Sequence, residues 1–151
     1  VLWIGSSVAV SGGMKALREA GSAAQVVTVS NNASAGFVKQ LGAHAHGVVV
    51  TQVFPSERAL GFAINREALS MLKDKSALSP QVMEGFASAK VLVEALRRAG
   101  PSPTRAKIVE ALDSLNRLDL GGLELGFSPT DHTGLSYVEL SIIGADGRFR
   151  R

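Results

Sequence analysis

Gly5-Ser6-Ser7 and Ser11-Gly12-Gly13 place small residues and hydroxyls before or at the start of a predicted helix. Backbone N–H groups in such a place can cradle a phosphate or carboxylate. Neither tract has the spacing of a dinucleotide fingerprint or a P-loop. A turn with a helix cap is therefore favoured, although a small carboxylate or other polar ligand fits the same loop. His44-x-His46 offers two imidazoles, but no Asp, Glu or further His lies close by to complete a metal shell. Asp131-His132, inside Ser128-Pro129-Thr130-Asp131-His132-Thr133-Gly134, has the composition of half a catalytic dyad. No Gly-x-Ser-x-Gly elbow supplies a nucleophile, and Asp and Thr after Pro are ordinary turn formers, so the turn reading wins. Glu84 and Glu94 share a helix without a second carboxylate placed for acid–base work. Met83 and Phe86 have core spacing, yet they follow a capped helix start that can face a cleft.

These residues need elements to position them. Val1–Ile4, Gln25–Val29 and Gly47–Val53 read as short apolar runs, the signature of buried parallel strands. The first run stands at residue 1, so the chain is expected to open inside a sheet and to be the C-terminal part of a larger α/β protein. Helices are predicted around Val10–Ala20, ending at Gly21, and Ser34–Leu41, ending at Gly42. The rhythm is βαβαβ, with right-handed crossovers and a parallel sheet. Loops at the carboxyl edge, where open α/β folds bind ligands, are then Gly5–Val8, Ser30–Ala33 and Phe54–Ser56.

Beyond them, Glu57–Lys73 has helical periodicity, with Leu60, Ile64, Ala68, Leu69 and Leu72 in one stripe. Ser79-Pro80 pairs an N-cap with proline at the first helical position, starting a helix to Ala99 that Gly100-Pro101 stops. Phe86, Ala89, Val93 and Leu96 are its expected inward face. Ser102-Pro103 repeats the start signal for a helix over Thr104–Leu115. Leu120–Leu125 and Ser136–Ile143 read as antiparallel strands, with Ala145-Asp146-Gly147 as a turn.

The composition narrows the function classes. The 151 residues suit one ordinary domain, and 16 Lys and Arg against 13 Asp and Glu give a net charge of only +3. Arg97–Arg98 complement the end of a helix dipole, and no aromatic residues interleave Arg148, Arg150 and Arg151 to stack bases. Nucleic-acid binding is disfavoured. Cysteine is absent, which excludes disulfides, thiolate metal sites and a cysteine nucleophile. No cofactor is called for by any motif. No apolar run approaches the roughly 18–20 residues of a membrane helix, and a chain that opens inside a strand says nothing about a leader peptide.

Met83-Glu84-Gly85-Phe86-Ala87-Ser88-Ala89-Lys90 and the residues on to Gly100 resemble a long helix of type I periplasmic substrate-binding proteins. The nearest group is the branched-chain amino acid receptor type, Leu/Ile/Val-binding-protein-like, that serves ATP-driven (ABC) importers. Gly47–Pro55 resembles the strand leading to that family's hinge, and Asp119–Arg151 resembles its closing segment, with Phe127-Ser128-Pro129, Asp131-His132-Thr133-Gly134 and Asp146-Gly147-Arg148-Phe149 in order. The likeness spans essentially the whole chain. It implies two α/β lobes, with parallel βαβ sheet and helices on both faces, that trap a small solute. Residues 1–53 would end the second lobe, 54–127 would form a helical return into the first, and 128–151 would cross back. An isolated chain would then expose sheet edges and is expected to dimerise, by exchanging segments, or to be marginally stable.

The resemblance also assigns ligand-contacting positions. The loop after the first strand falls on Ser6 or Ser7. The loop after the second, acidic in amino acid binders, carries Ser30 with Asn31 beside it. A neutral hydroxyl cannot supply the charge-assisted bond that selects an amine, so a carboxylate, amide or aromatic acid is expected over a branched-chain amino acid. Gln52, Phe54, Met83 and Phe86 are further candidates for the walls of the cleft. The implied function is a non-enzymatic, periplasmic solute receptor whose partners are its small ligand and the membrane permease. The alternatives are a doubly wound α/β enzyme fragment, with His132 or His44 as base, and a cytoplasmic ligand sensor on the same fold.

Overall fold

The computed structural model describes all residues, Val1–Arg151. In chain order the elements are β1 (Leu2–Trp3), α1 (Ser7–Glu19), β2 (Val27–Thr28), a 3-10 turn at Ser30–Asn32, α2 (Ala35–Leu41), a second 3-10 turn at Gly42–His44 and β3 (Val49–Gln52). Then come α3 (Ala63–Met71), α4 (Pro80–Ala99), α5 (Arg105–Asp113), β4 (Leu118–Asp119), β5 (Glu124–Ser128), β6 (Asp131–Gly134), β7 (Glu139–Ile143) and β8 (Phe149–Arg150). They form two compact units, one of residues 1–56 and 138–151 and the other of residues 57–137.

The first unit is the expected βαβαβ arrangement closed by a hairpin. Its sheet runs β1-β2-β3-β7-β8. The first three strands are parallel, while β7 runs antiparallel to β3 and β8 antiparallel to β7. Register aligns Trp3, Thr28, Val50 and Ser141 in one row across the sheet. Side chains alternate between faces along a strand, so this row shares one face. Against that face pack Val10 and Met14 of α1 with Phe37 and Leu41 of α2, and Val26, Val48, Val50 and Ile143 complete the core.

The apolar run Val1–Ile4 leaves Leu2 and Ile4 66% and 71% exposed, in line with the open sheet edge expected of the isolated chain. The reason is position: β1 is an edge strand, and the row aligned with Leu2 runs through Val27, Val49 and the exposed Ile142 to Arg150, on the face opposite the core. The Asp146-Gly147 turn forms as expected, with the Gly147 N–H donating to Gly144 O and the Arg148 N–H to Asp146 Oδ1.

In the second unit the caps mark helix starts better than periodicity does. Ser79 Oγ accepts from the Val82 N–H at 3.3 Å, and α4 runs from Pro80 to Ala99 with Gly100 at φ +81°, as the sequence predicts. Its buried face is Met83, Ala87 and Ala95, not the Phe86–Leu96 stripe, whose Val93 is 47% exposed. Apolar residues cover most of this helix's circumference, so periodicity alone does not select the inward side. For α5 the cap is Thr104, whose Oγ1 accepts from the Lys107 N–H, two residues after the expected Ser102.

The predicted Glu57–Lys73 helix is trimmed to Ala63–Met71. Residues 57–62 turn instead, with the Phe62 N–H donating to Ala59 O, and Leu60 lies outside the helix, exposed. No side chain caps α3; the Ile64 N–H donates to Gly121 O at 3.1 Å. Gly121 has φ +106°, and a Cβ there would sit 2.6 Å from the Ile64 nitrogen, so only glycine fits this approach. Asp119 Oδ1 accepts from the Gly121 and Gly122 N–H groups at 2.8 and 2.7 Å.

That turn displaces the strand expected at Leu120–Leu125 to β5. Asp131–Gly134, read as a turn, is instead strand β6 paired with β5, and the turn proper is Pro129-Thr130, closed by the Asp131 N–H donating to Ser128 Oγ.

A Cβ on Gly13 would lie 1.9 Å from the Trp3 ring, whereas one on Gly12 meets nothing within 4 Å. In urea unfolding followed by Trp3 fluorescence, Gly12→Ala should stabilise by about 0.5–1 kcal/mol, and Gly13→Ala should destabilise by about 1–3 kcal/mol.

The Gly122 and then the Gly121 N–H groups hold the Asp119 carboxyl below its ordinary value. Its stabilising contribution is thus complete above about pH 4 and lost as pH falls through the lower folded value. Asp119→Asn should flatten this acid-side loss in unfolding curves recorded between about pH 5 and pH 2.

Candidate functional site

Parallel strands joined by crossover helices bring their following loops to one sheet edge. In the first unit that edge carries Gly5–Ser7 after β1, Ser30–Asn32 after β2 and Val53–Ser56 after β3. Ser6 is the N-cap of α1, with φ −65° and ψ 158°, and its Oγ accepts from the Ala9 N–H at 3.3 Å. That hydroxyl is committed to the helix. Ser7 is the first helical residue, where backbone N–H groups have no intrahelical acceptor.

The β2–α2 loop meets the β1–α1 loop directly. Asn31 Nδ2 donates to Gly5 O at 3.2 Å, and so does Asn32 Nδ2 at the same distance. Asn32 is completely buried and also donates to Thr28 Oγ1 at 2.9 Å. The short 3-10 turn is closed by the Asn32 N–H on Val29 O and the Ala33 N–H on Ser30 O. Ser34 then caps α2, its Oγ accepting from the Phe37 N–H. Ser6, Ser7, Ser30 and Asn31 are thereby gathered on tied loops, with no ionisable residue in Gly5–Ser7 or Ser30–Ser34.

Gln52 has a different place. Its side chain is 1% exposed and donates through Nε2 to Ser141 Oγ at 2.8 Å, which in turn donates to Val50 O at 3.0 Å. It ties β3 to β7 beneath the edge. Phe54 is half-buried on the loop that follows. Met83 and Phe86 belong to the second unit. Met83 is fully buried, and Phe86 lies under Lys90, whose Nζ is 5.7 Å from the ring centroid.

Sequence reading missed Asn32, Thr28 and Ser141 as members of the polar layer beneath the edge. Thr28 within the apolar Val26-Val27-Thr28-Val29 run is the one visible signal.

The other chemistry-bearing groups are elsewhere. His132 Nε2 lies 3.1 Å from Asp113 Oδ1 in the second unit, with the imidazole exposed. Hydrogen bonds from the Thr133 hydroxyl and N–H hold the neighbouring Asp131 carboxyl below its ordinary value. No three His, Cys, Asp or Glu side chains gather to hold a metal ion. No helix is long and apolar enough to cross a membrane.

Against known families, residues 1–147 match the model described as periplasmic binding protein. The chain belongs to that family. Its architecture is shared with a possible leucine/isoleucine/valine-binding protein from Rhodopirellula baltica SH 1, at 28% identity and a TM-score of 0.85 over 99% of this chain and 42% of that one. A substrate-binding periplasmic protein from Ralstonia solanacearum is 30% identical, with a TM-score of 0.79 over 98% of this chain and 44% of the other. An extracellular ligand-binding receptor from Verminephrobacter eiseniae is 28% identical at 0.79, over 100% and 44%. The chain therefore spans less than half the length of these solved structures. No match is found among curated proteins.

The buried Gln52–Ser141 pair yields a test of its structural role. Ser141→Ala should leave the Gln52 amide without its acceptor and lower stability by about 1–3 kcal/mol in chemical unfolding.

Proposed function

We propose that this periplasmic binding protein chain serves a solute receptor of an ABC importer, with the carboxyl edge of the first unit contacting a small polar ligand. Ser7, Ser30 and Asn31 face the solute, and Ser6 sets the start of α1 beside them. Phe54 lines the edge next to β3. Met83 and Phe86 follow a capped helix start and match the family by likeness, but the burial of Met83 argues for a core role. Residues 1–53 are read as the end of one ligand-binding lobe, 54–127 as a return into the other and 128–151 as a crossing back. The division of the chain near residues 56 and 138 supports that reading in outline. A periplasmic location and a membrane permease as partner follow from the same proposal.

One observation carries the ligand chemistry: the tied loops offer hydroxyl, carboxamide and backbone N–H groups but no charge. An α-ammonium group draws its selectivity from a charge-assisted bond to a carboxylate, and Ser30 stands where amino acid binders of the family carry one. A carboxylate oxygen or an amide, in contrast, pairs well with neutral donors near a helix N-terminus. An organic acid, an aromatic acid or an amide is thus favoured over leucine or valine.

The reading predicts the outcome of a thermal-shift and native mass spectrometry screen of this chain against leucine, valine, glutamine, succinate and benzoate. An acid or amide at about a hundredfold excess over its Kd should stabilise by roughly 2.7 kcal/mol. Stabilisation by leucine or valine alone would refute the argument from Ser30. Turnover of any solute would refute the receptor.

A further inference from the structure

The Gly5 carbonyl takes both of its side-chain donors from consecutive residues, Asn31 and Asn32, each through Nδ2 at 3.2 Å. A carbonyl oxygen has two lone pairs, so the pair saturates it. Gly5 shares a planar peptide group with Ser6, the N-cap of α1. Fixing that oxygen orients the Ser6 nitrogen and sets where the helix begins. The second anchor lies deeper: Asn32 also donates to Thr28 Oγ1 on β2 at 2.9 Å, and its side chain is 0% exposed.

The other end of Asn32 shows what is being traded. Its Oδ1 is buried without a hydrogen-bond partner, a state that carries a desolvation penalty. Packing alone would be served at this position by an apolar side chain of similar size. The carboxamide is therefore held in place by what its nitrogen does. Asn31 repeats the same donation from an exposed position, where no core requirement applies.

We infer that Asn31 and Asn32 form a double clasp that fixes the β1–α1 loop to the β2–α2 loop before any ligand arrives. They are positioning residues: the clasp holds Ser7 and Ser30 at one spacing, so a solute does not have to order the edge on binding. The clasp itself rests on the geometry; its benefit to binding rests on the solute-receptor reading above.

The test is hydrogen exchange on the unliganded chain with Asn31→Ala, Asn32→Ala and the double variant. The Ala9 and Val10 amides close on Ser6 Oγ and Ser6 O at 3.3 and 2.9 Å, so they report whether that corner stays formed. In the double variant their exchange should quicken about tenfold or more through local opening, while the amides of β3 and β7 keep their rates. Asn31→Ala should give a smaller rise at an unchanged melting temperature, an effect a purely structural role would not produce.

Trp3, the only tryptophan, lies two residues before Gly5 and supplies a second readout. Acrylamide quenching of its fluorescence should increase in the same order of variants. Unchanged exchange in Asn31→Ala would overturn the clasp, as would a uniform rise across the whole first unit. If Asn32→Ala fails to fold, Asn31→Ala still decides, because its side chain is exposed. Neither readout needs a solute, so a clasp that behaves as expected alongside an empty ligand screen would refute only the receptor reading.

Discussion

Parallel pairing of β1, β2 and β3 is the constraint on which the candidate site depends. Strands that run the same way cannot be joined by tight hairpins; each needs a crossover, here α1 and α2. Burial of those crossovers against the Trp3–Thr28–Val50–Ser141 face forms the core, and the same geometry delivers every strand-to-helix loop to one edge. Hydrophobic burial under α1 and α2 thus determines where polar residues must gather. The edge is a by-product of that packing.

Below that edge lies a polar layer unusual for the middle of a core. Thr28, Asn32, Gln52 and Ser141 are all at most 2% exposed, and each makes at least one hydrogen bond. Inside a protein such bonds are strengthened by the low local dielectric, and the cost of leaving a group unpaired rises equally. The layer therefore favours one geometry of the edge over its neighbours. Gln52–Ser141 secures β3 to β7, while Asn32–Thr28 secures the β2–α2 loop to its own strand. The two ties divide the work between sheet closure and loop placement.

In the second unit, side chains cap α4 and α5, but backbone approach sets the start of α3. α3 begins where Gly121 O can receive the Ile64 N–H, and the Asp119 carboxylate shapes the Gly121-Gly122 turn that brings the oxygen there. A helix start set by a residue far along the chain is invisible to local rules. The long helix α4 is the opposite case, since Ser79, Pro80 and Gly100 define it from within.

Local signals in the sequence determined what depends only on neighbouring residues. Ser79-Pro80 and Gly100 bounded α4, Gly21 and Gly42 followed the first two helices, and the spacing of apolar runs gave the parallel βαβαβ order with its loop edge. Those features rest on capping, left-handed φ and burial of short strands, all readable within a few residues. The same signals placed the loops that carry Ser6, Ser7, Ser30 and Asn31 on that edge, while the choice of those residues as ligand contacts came from the family resemblance alone. Tertiary structure decided the remainder. It set which face of α4 is buried, left Leu2 and Ile4 on an open edge, cut the α3 helix at Ala63 and moved the strand from Leu120 to Glu124. It also drew Gln52 inward to Ser141, 89 residues away, and joined Asn32 to Gly5, 27 residues away. Except for the strand shift, which follows the local Asp119 turn, each of these turns on a partner distant in sequence, and no local pattern names that partner.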